Sequence, residues 1–261
     1  MEGRKRSRRP DFDPTAPATI SGAGQVVGWG LALWGGVQVA SAVLDRKPFG
    51  SALVQAVMAE WGASRLGIAW SDPLAPIAEW TGIARRASRG AALGAAAAIL
   101  VVASALATRG ASIASAASLG SSIGLLGVGL FAAALGAVRD ELLLRGVVLR
   151  ATRGMLPAWA CLLACGAAAA AASFGVGIES PVALTAEALR GIALGSLWVR
   201  DRGAWMAFAA NASWMWTLGS LAHGGLFDVR FVVEPDEAAT AVAILAAFAI
   251  AGWSSIRQRR S

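Results

Sequence analysis

Apolar runs about as long as a membrane span recur along most of this chain, and they constrain its fold more than any other feature. Seven are plain, at about residues 24–44, 90–108, 118–149, 156–178, 181–199, 203–222 and 237–253. A hydrocarbon layer about 30 Å thick is crossed by roughly 20 apolar residues of helix, and each backbone polar group inside it must be satisfied within the segment. Helix is therefore the expected element. Composition agrees: of 261 residues 56% are hydrophobic and only 15% charged, and the mean hydropathy is +0.59. An ordinary soluble domain carries roughly 25% charged residues. The expected fold class is an all-α, polytopic membrane helix bundle. A disordered chain, a collagen-like chain and a soluble enzyme are excluded.

An eighth run, about 51–69, is weaker because it contains Glu60 and Arg65. Such charges are costly in lipid unless they face the bundle, so this segment is expected inside it or only partly inserted. The positive charges decide how many runs cross. With eight crossings and the N-terminus inside, the cytoplasmic segments hold Arg4, Lys5, Arg6, Arg8, Arg9, Arg85, Arg86, Arg89, Arg150, Arg153, Arg200, Arg202, Arg257, Arg259 and Arg260. The outer segments hold Arg46, Lys47, Arg109 and Arg230, so the balance is fifteen against four. The last outer loop is acidic, with Asp228, Glu234, Asp236 and Glu237. Seven crossings would break this alternation after the first span. The positive-inside rule thus predicts about eight transmembrane helices, both termini cytoplasmic, in a bacterial-type inner membrane. Residues 1–22 read as a disordered basic tail, 23–253 as the membrane domain and 254–261 as a second basic tail. A cleaved signal peptide is the rival reading of the first run, because Ala40-Ser41-Ala42 resembles a cleavage site; the run is long for that role and more spans follow.

The net charge of +7 and the pI of about 11.1 follow from these flanking arginines. They imply contact with the lipid bilayer, not with nucleic acid, since no basic groove with interleaved aromatics is present in the sequence. Cys161 and Cys165 lie four apart and share a helix face, as small packing residues; two thiols do not make a zinc site. GxxxG pairs at Gly90/Gly94, Gly120/Gly124 and Gly191/Gly195 mark faces where helices can approach closely. No tandem or inverted repeat of the transporter kind is found.

Arg139, Asp140, Glu141 and Arg145 are the informative residues, in the segment FAAALGAVRDELLLRGVVLRATRG. Arg145 is about one and a half turns, and Asp140 about three turns, inside the boundary at Arg150. Each charge costs on the order of 2.5–3.5 kcal/mol at mid-bilayer if unpaired. Glu141 and Arg145 stand at i,i+4 with the acid first, the better orientation for a pair. Asp140 is turned about 100° from Glu141 and aims elsewhere. A structural ion pair and a catalytic or binding cluster are both open on these grounds. Glu187 and Arg190 form a second candidate pair, at i,i+3, beside Gly191 and Gly195.

The run Asp140-Glu141-Leu142-Leu143-Leu144-Arg145-Gly146 resembles the EExxxRG motif of the CPBP family, the CAAX prenyl protease and bacteriocin-processing (Abi) membrane proteins. Ser173-Phe174-Gly175 follows in the place of the FxxxH motif. Next come the Gly-rich helix with Gly191, Gly195 and Leu197, and Gly203-Ala204-Trp205 ahead of Asn211 as the lead into HxxxN. The resemblance covers about residues 118–222. It implies intramembrane peptide-bond hydrolysis, with a Glu and a His activating water, in some members with a metal, and a second His and an Asn holding the oxyanion. On this pattern the site residues are Asp140, Glu141, Arg145 and Asn211.

The chain departs from the pattern at the catalytic positions. Asp140 replaces the first Glu, Ile178 the first His, Asn211 the second His and Met215 the Asn. Isoleucine can neither bind a metal nor relay a proton. The one histidine, His223, is placed at the outer end of the run 203–222, about 30 Å from Arg202 along a helix. No cofactor or metal is therefore expected. The chain is identified as a degenerate member, binding peptides or membrane partners without cutting them. The alternatives are an endopeptidase working through Asp140 or Glu141 and, third, a small-solute transporter. The resemblance also predicts that Ile178, Asn211 and Asp140 converge in one cavity.

Overall fold

The structure, a computed structural model, describes residues 19–44, 48–72, 80–108, 110–114, 119–178, 180–221, 228–231, 241–242 and 244–252. The two basic tails beyond these limits, Arg46, Lys47, Arg109 and His223 lie outside the described residues. The chain is an all-α membrane helix bundle, and every one of the eight apolar runs carries helix. α1 is Ile20–Val43, α2 Pro48–Arg65 and α3 Trp80–Ala107. α4, Leu119–Asp140, continues through a π-helical turn, Glu141–Gly146, into α5, Val147–Thr152. α6 is Ala158–Gly175 and α7 Pro181–Asp201; α8, Trp205–Trp216, ends in a second π turn, Thr217–Leu221. Residues 241–242 and 244–252 are helical as well. Five helices are long and apolar enough to cross a membrane: α1, α3, Ile123–Thr152, α6 and α7. Outward side chains such as Trp29, Leu31, Leu100, Phe131 and Leu163 are exposed, which suits lipid and not water.

Local chemistry sets the helix ends. Thr19 caps α1 by accepting from the Gly22 N–H at 3.1 Å, so the helix starts a few residues before the sequence boundary at 23. Ser180 caps α7, whose first residue is Pro181, where a missing N–H costs nothing. α7 stops at Arg202, which takes the left-handed conformation with φ 52°. Gly203 follows because a Cβ there would stand 2.5 Å from the Trp70 carbonyl oxygen.

Loop contacts sort the helix ends into two sets. In the first, the Asp72 N–H donates to the Arg202 carbonyl at 2.8 Å and the Ala204 N–H to the Trp70 carbonyl at 2.9 Å. Arg153 meets Asp72 at 3.6 Å and Arg86 meets Asp201 at 3.3 Å. In the second, strand β1, Ala111–Ala114, pairs antiparallel with β2, Asp228–Phe231. The hydropathy pattern foresees neither strand, since four residues are too few to show a period. α3 starts in the first set and ends in the second.

Small residues set the tightest contacts. A Cβ on Gly90 would overlap the Met206 carbonyl, and one on Gly94 the Ala210 carbonyl, so α3 and α8 run parallel in backbone contact. Ser213 Oγ donates across this seam to the Ala91 carbonyl at 2.9 Å. Gly191 lies against the Cys165 carbonyl and Gly195 against the Cys165 side chain, which joins α6 to α7. The Gly120/Gly124 pair does not hold as a packing face at Gly124, where a Cβ would meet nothing within 4 Å. A helix this rich in glycine matches GxxxG without making a seam.

Candidate functional site

The π turn at Glu141–Gly146 interrupts the α-helical ladder where the charges sit. Its i→i+5 bonding widens the turn and brings positions four apart nearer to one azimuth. Arg145 Nη1 lies 3.5 Å from Glu141 Oε1, and both side chains are completely buried. Neither carboxylate oxygen of Glu141, and none of the three guanidinium nitrogens of Arg145, makes a hydrogen bond of good geometry with the protein. The pair is thus held by charge, with hydrogen-bonding capacity left over. Gly146 closes the turn against Ile68 and Trp198, whose side chains occupy the place of a Cβ.

Asp140 faces the other way, as its rotation of about 100° requires. Its Oδ1 accepts from Arg139 Nε at 2.8 Å and lies 2.7 Å from Arg139 Nη2. Arg139 Nη1 donates to Gln55 Oε1 at 2.7 Å, and Gln55 Nε2 donates to Ser51 Oγ at 2.8 Å. The same guanidinium sits 5.6 Å from the ring centre of Trp34. This clasp ties α4 to α1 and α2. It explains why the weak second run folds against the bundle: its buried Gln55 is a polar partner for Arg139, and buried Ser51 holds Gln55 in turn.

On the Glu141 side three more helices converge. Arg190, on α7, receives Glu187 as a partner: Nε donates to Glu187 Oε2 at 3.1 Å and Nη2 to the same oxygen at 2.5 Å. The pair expected at i,i+3 is therefore present, but it is not self-contained. Arg190 Nη1 also donates to Asn211 Oδ1 on α8 at 3.2 Å. Asp140 and Glu141 both act electrostatically on Arg190, and Asn211 stands beside Glu141. The approach of Asn211 to Glu141 falls short of a well-formed bond, since Asn211 Nδ2 and both Glu141 oxygens stay without a partner by strict geometry. From α6 the buried Cys165 lies in the field of Arg145 and Glu141.

Of the residues singled out from the sequence, Glu141, Arg145 and Asn211 come together, with Asp140 at their edge. Ile178 does not join them. It lies three residues beyond the end of α6, past Gly177 with φ 95°, is 36% exposed, and its N–H bonds back to the Ser173 carbonyl. The α6 residue that faces the cluster is Cys165, more than three turns earlier in the helix. The expected convergence of Ile178 with Asp140 and Asn211 is therefore corrected: the spacing of a motif on a helix end does not carry its residues to mid-helix depth. Met215 packs with Cε over Gly136 on α4, one turn before Asp140, as a seam residue. Arg190, Gln55 and Cys165 are the members that spacing alone did not pick out as site residues. A lone Gln in an apolar run was the available signal for Gln55. Among the described residues no group of three His, Cys, Asp or Glu side chains gathers in a way that could hold a metal.

No protein-family model matches the chain, and comparison with curated proteins and with solved structures finds no match.

Proposed function

We propose that the chain is a catalytically degenerate membrane protein of the CPBP type, which binds a peptide or membrane partner at its polar core without cutting it. The observation that carries this reading is the set of sealed but unsatisfied polar atoms of Glu141, Arg145 and Asn211. Buried polar groups are nearly always hydrogen-bonded, to protein, water or ligand. A cluster that neutralises its charges internally and keeps spare donors and acceptors is suited to holding a polar guest in a dry site. Hydrolysis asks for more. Peptide hydrolysis needs a base free to take a proton from water within about 3 Å of the scissile carbon. Asp140 Oδ1 is engaged by Arg139, and Glu141 is paired with Arg145. The family's two histidine positions are Ile178 and Asn211 in this sequence.

A cleavage assay tests the reading. The purified full chain in lipid nanodiscs is incubated with single-span reporter peptides, and new termini are sought by mass spectrometry. The expected result is no cleavage above that of the Asp140→Ala and Glu141→Ala variants. Fragments that appear with wild type and vanish in Glu141→Ala would replace this reading by that of an endopeptidase.

The same proposal places the chain in a bacterial-type inner membrane with eight crossings. Support comes from the fifteen-to-four charge balance and from the two sets of loop contacts. Reporter fusions at Arg9 and at Gln258 are both expected to read cytoplasmic. Opposite sides would remove the crossing by residues 51–69.

A further inference from the structure

The ends of α5 and α7 and the residues that follow α2 enclose a cavity of about 260 Å³. Ile68, Leu149, Trp198 and Val199 give it an apolar wall. Arg150, Arg153 and Arg202 line it as well, against a single carboxylate, Asp72. Three positive charges and one negative give a net charge of +2 among the lining residues. Ser71 adds a hydroxyl, whose oxygen accepts from Trp205 Nε1 at 3.3 Å and whose proton is left to donate.

An arginine at a helix C-terminus has an ordinary reason, since it neutralises the last carbonyls. At the end of α7 that task falls to Arg86, which donates to the Asp201 carbonyl and meets the Asp201 carboxylate at 3.3 Å. Arg202 is exposed, and its side chain forms no ion pair among the described residues. Arg153 meets Asp72 at 3.6 Å, yet the two side chains stay 29% and 25% exposed, so both are accessible. Arg150 is buried, and its charge acts on the cavity with little screening by water. The three arginines thus exceed what helix ends and Asp72 call for, and they converge on one concave wall.

We propose that this cavity is a phosphate-ester site, in which Arg150, Arg153 and Arg202 hold the phosphate and the apolar wall holds the carbon part. Guanidinium is planar and forks onto phosphate oxygens, which suits it to this group. A cavity of about 150 Å³ holds a benzene-sized guest, so about 260 Å³ takes a phosphate with a short polyol, on the order of ten non-hydrogen atoms. An anionic phospholipid headgroup and a soluble phosphate ester share this chemistry. The surroundings favour the lipid. Met155, Leu156 and Trp159 follow Arg153 closely in the chain and are exposed, and tryptophan is at home at the bilayer surface. Basic pockets between helix ends are suited to anionic headgroups. The inference does not depend on the polar core at Glu141 binding a guest.

Retention of lipid through extraction tests it. The full chain is taken from nanodiscs of equal phosphatidylcholine and phosphatidylglycerol into detergent, and the lipids that stay bound are identified by native mass spectrometry. Phosphatidylglycerol is expected to be retained over phosphatidylcholine. Its retention is expected to fall about fivefold in each of Arg153→Gln and Arg202→Gln, the effect of one arginine near an anionic surface. It should fall at least as far in Ala69→Glu, which sets a carboxylate among the same lining residues at an exposed position and removes no arginine. Arg85→Gln with Arg89→Gln removes two exposed arginines near the start of α3 and is expected to change nothing. A second arm titrates glycerol phosphate calorimetrically against the chain in pure phosphatidylcholine nanodiscs. Retention of phosphatidylglycerol with no heat from glycerol phosphate assigns the site to a lipid headgroup. Heat that is lost in Arg153→Gln and Arg202→Gln, with no lipid preference, assigns it to a soluble ester, and both results together mean that it takes either. An equal fall in the α3 control would overturn the site in favour of general surface charge. Retention and heat unchanged in Arg153→Gln, Arg202→Gln and Ala69→Glu would overturn it too, and no lipid preference with no heat would overturn the phosphate.

Discussion

Replacement of Arg145 by Ala is expected to destabilise the folded bundle by about 3–5 kcal/mol, the usual cost of stranding one partner of a buried ion pair. Arg145 and Glu141 are both completely buried at 3.5 Å, so water cannot take over the lost interaction without opening the bundle. On the scale of domains near this size, the loss corresponds to a fall on the order of 10 °C in melting temperature. Glu141→Gln is expected to cost less, because the amide keeps an acceptor for the guanidinium. The double replacement Glu141→Leu with Arg145→Met is expected to recover most of the loss, since well-packed apolar groups often match a buried pair. Thermal unfolding in one detergent measures all three. Unchanged melting of Arg145→Ala would mean that the two side chains do not meet.

Gly94→Ala is expected to have the next largest effect. The new methyl would overlap the Ala210 carbonyl and press on Ser213 Oγ, and backbone cannot swing aside as a side chain can. Overpacking of this kind typically costs about 1–3 kcal/mol, and more where backbone must move. Gly90→Ala meets the Met206 carbonyl in the same way, one turn along the seam. Loss of the α3–α8 seam also breaks the 2.9 Å bond from Ser213 to Ala91. Gly124→Ala is the control. It faces open space in the middle of a helix and is expected to be neutral or stabilising, by up to about 1 kcal/mol. Equal melting of Gly94→Ala and Gly124→Ala would contradict the seam.

Much of this fold is legible in the sequence, because a membrane leaves the chain few choices. Runs of about 20 apolar residues must be helical. Single glycines are less legible: Gly94 and Gly124 stand in equivalent motifs, yet only the first meets a neighbouring backbone. The polar core was readable where it is local. The Glu141–Arg145 and Glu187–Arg190 pairs follow from helical spacing alone. The long-range partners were not readable, since nothing in the spacing says that Arg190 reaches Asn211 or that Arg139 reaches Gln55. Ile178 shows the opposite error. Its place in the pattern of motifs points to the core, whereas the end of α6 at Gly175 leaves it beyond the helix terminus. The π turn at Glu141 is not legible either, because Glu, Leu and Arg are good α-helix formers and nothing in their order marks a wider turn.

Whether the buried groups of separate helices act as one unit is read most directly from a double-mutant cycle between Glu141→Gln on the π turn and Asn211→Leu on α8. Side chains in contact within one polar network couple by about 0.5–3 kcal/mol, while independent sites add within about 0.3–0.5 kcal/mol. The four unfolding free energies, measured in one detergent, are predicted to give a coupling of at least about 1 kcal/mol. Simple additivity would contradict a shared polar core.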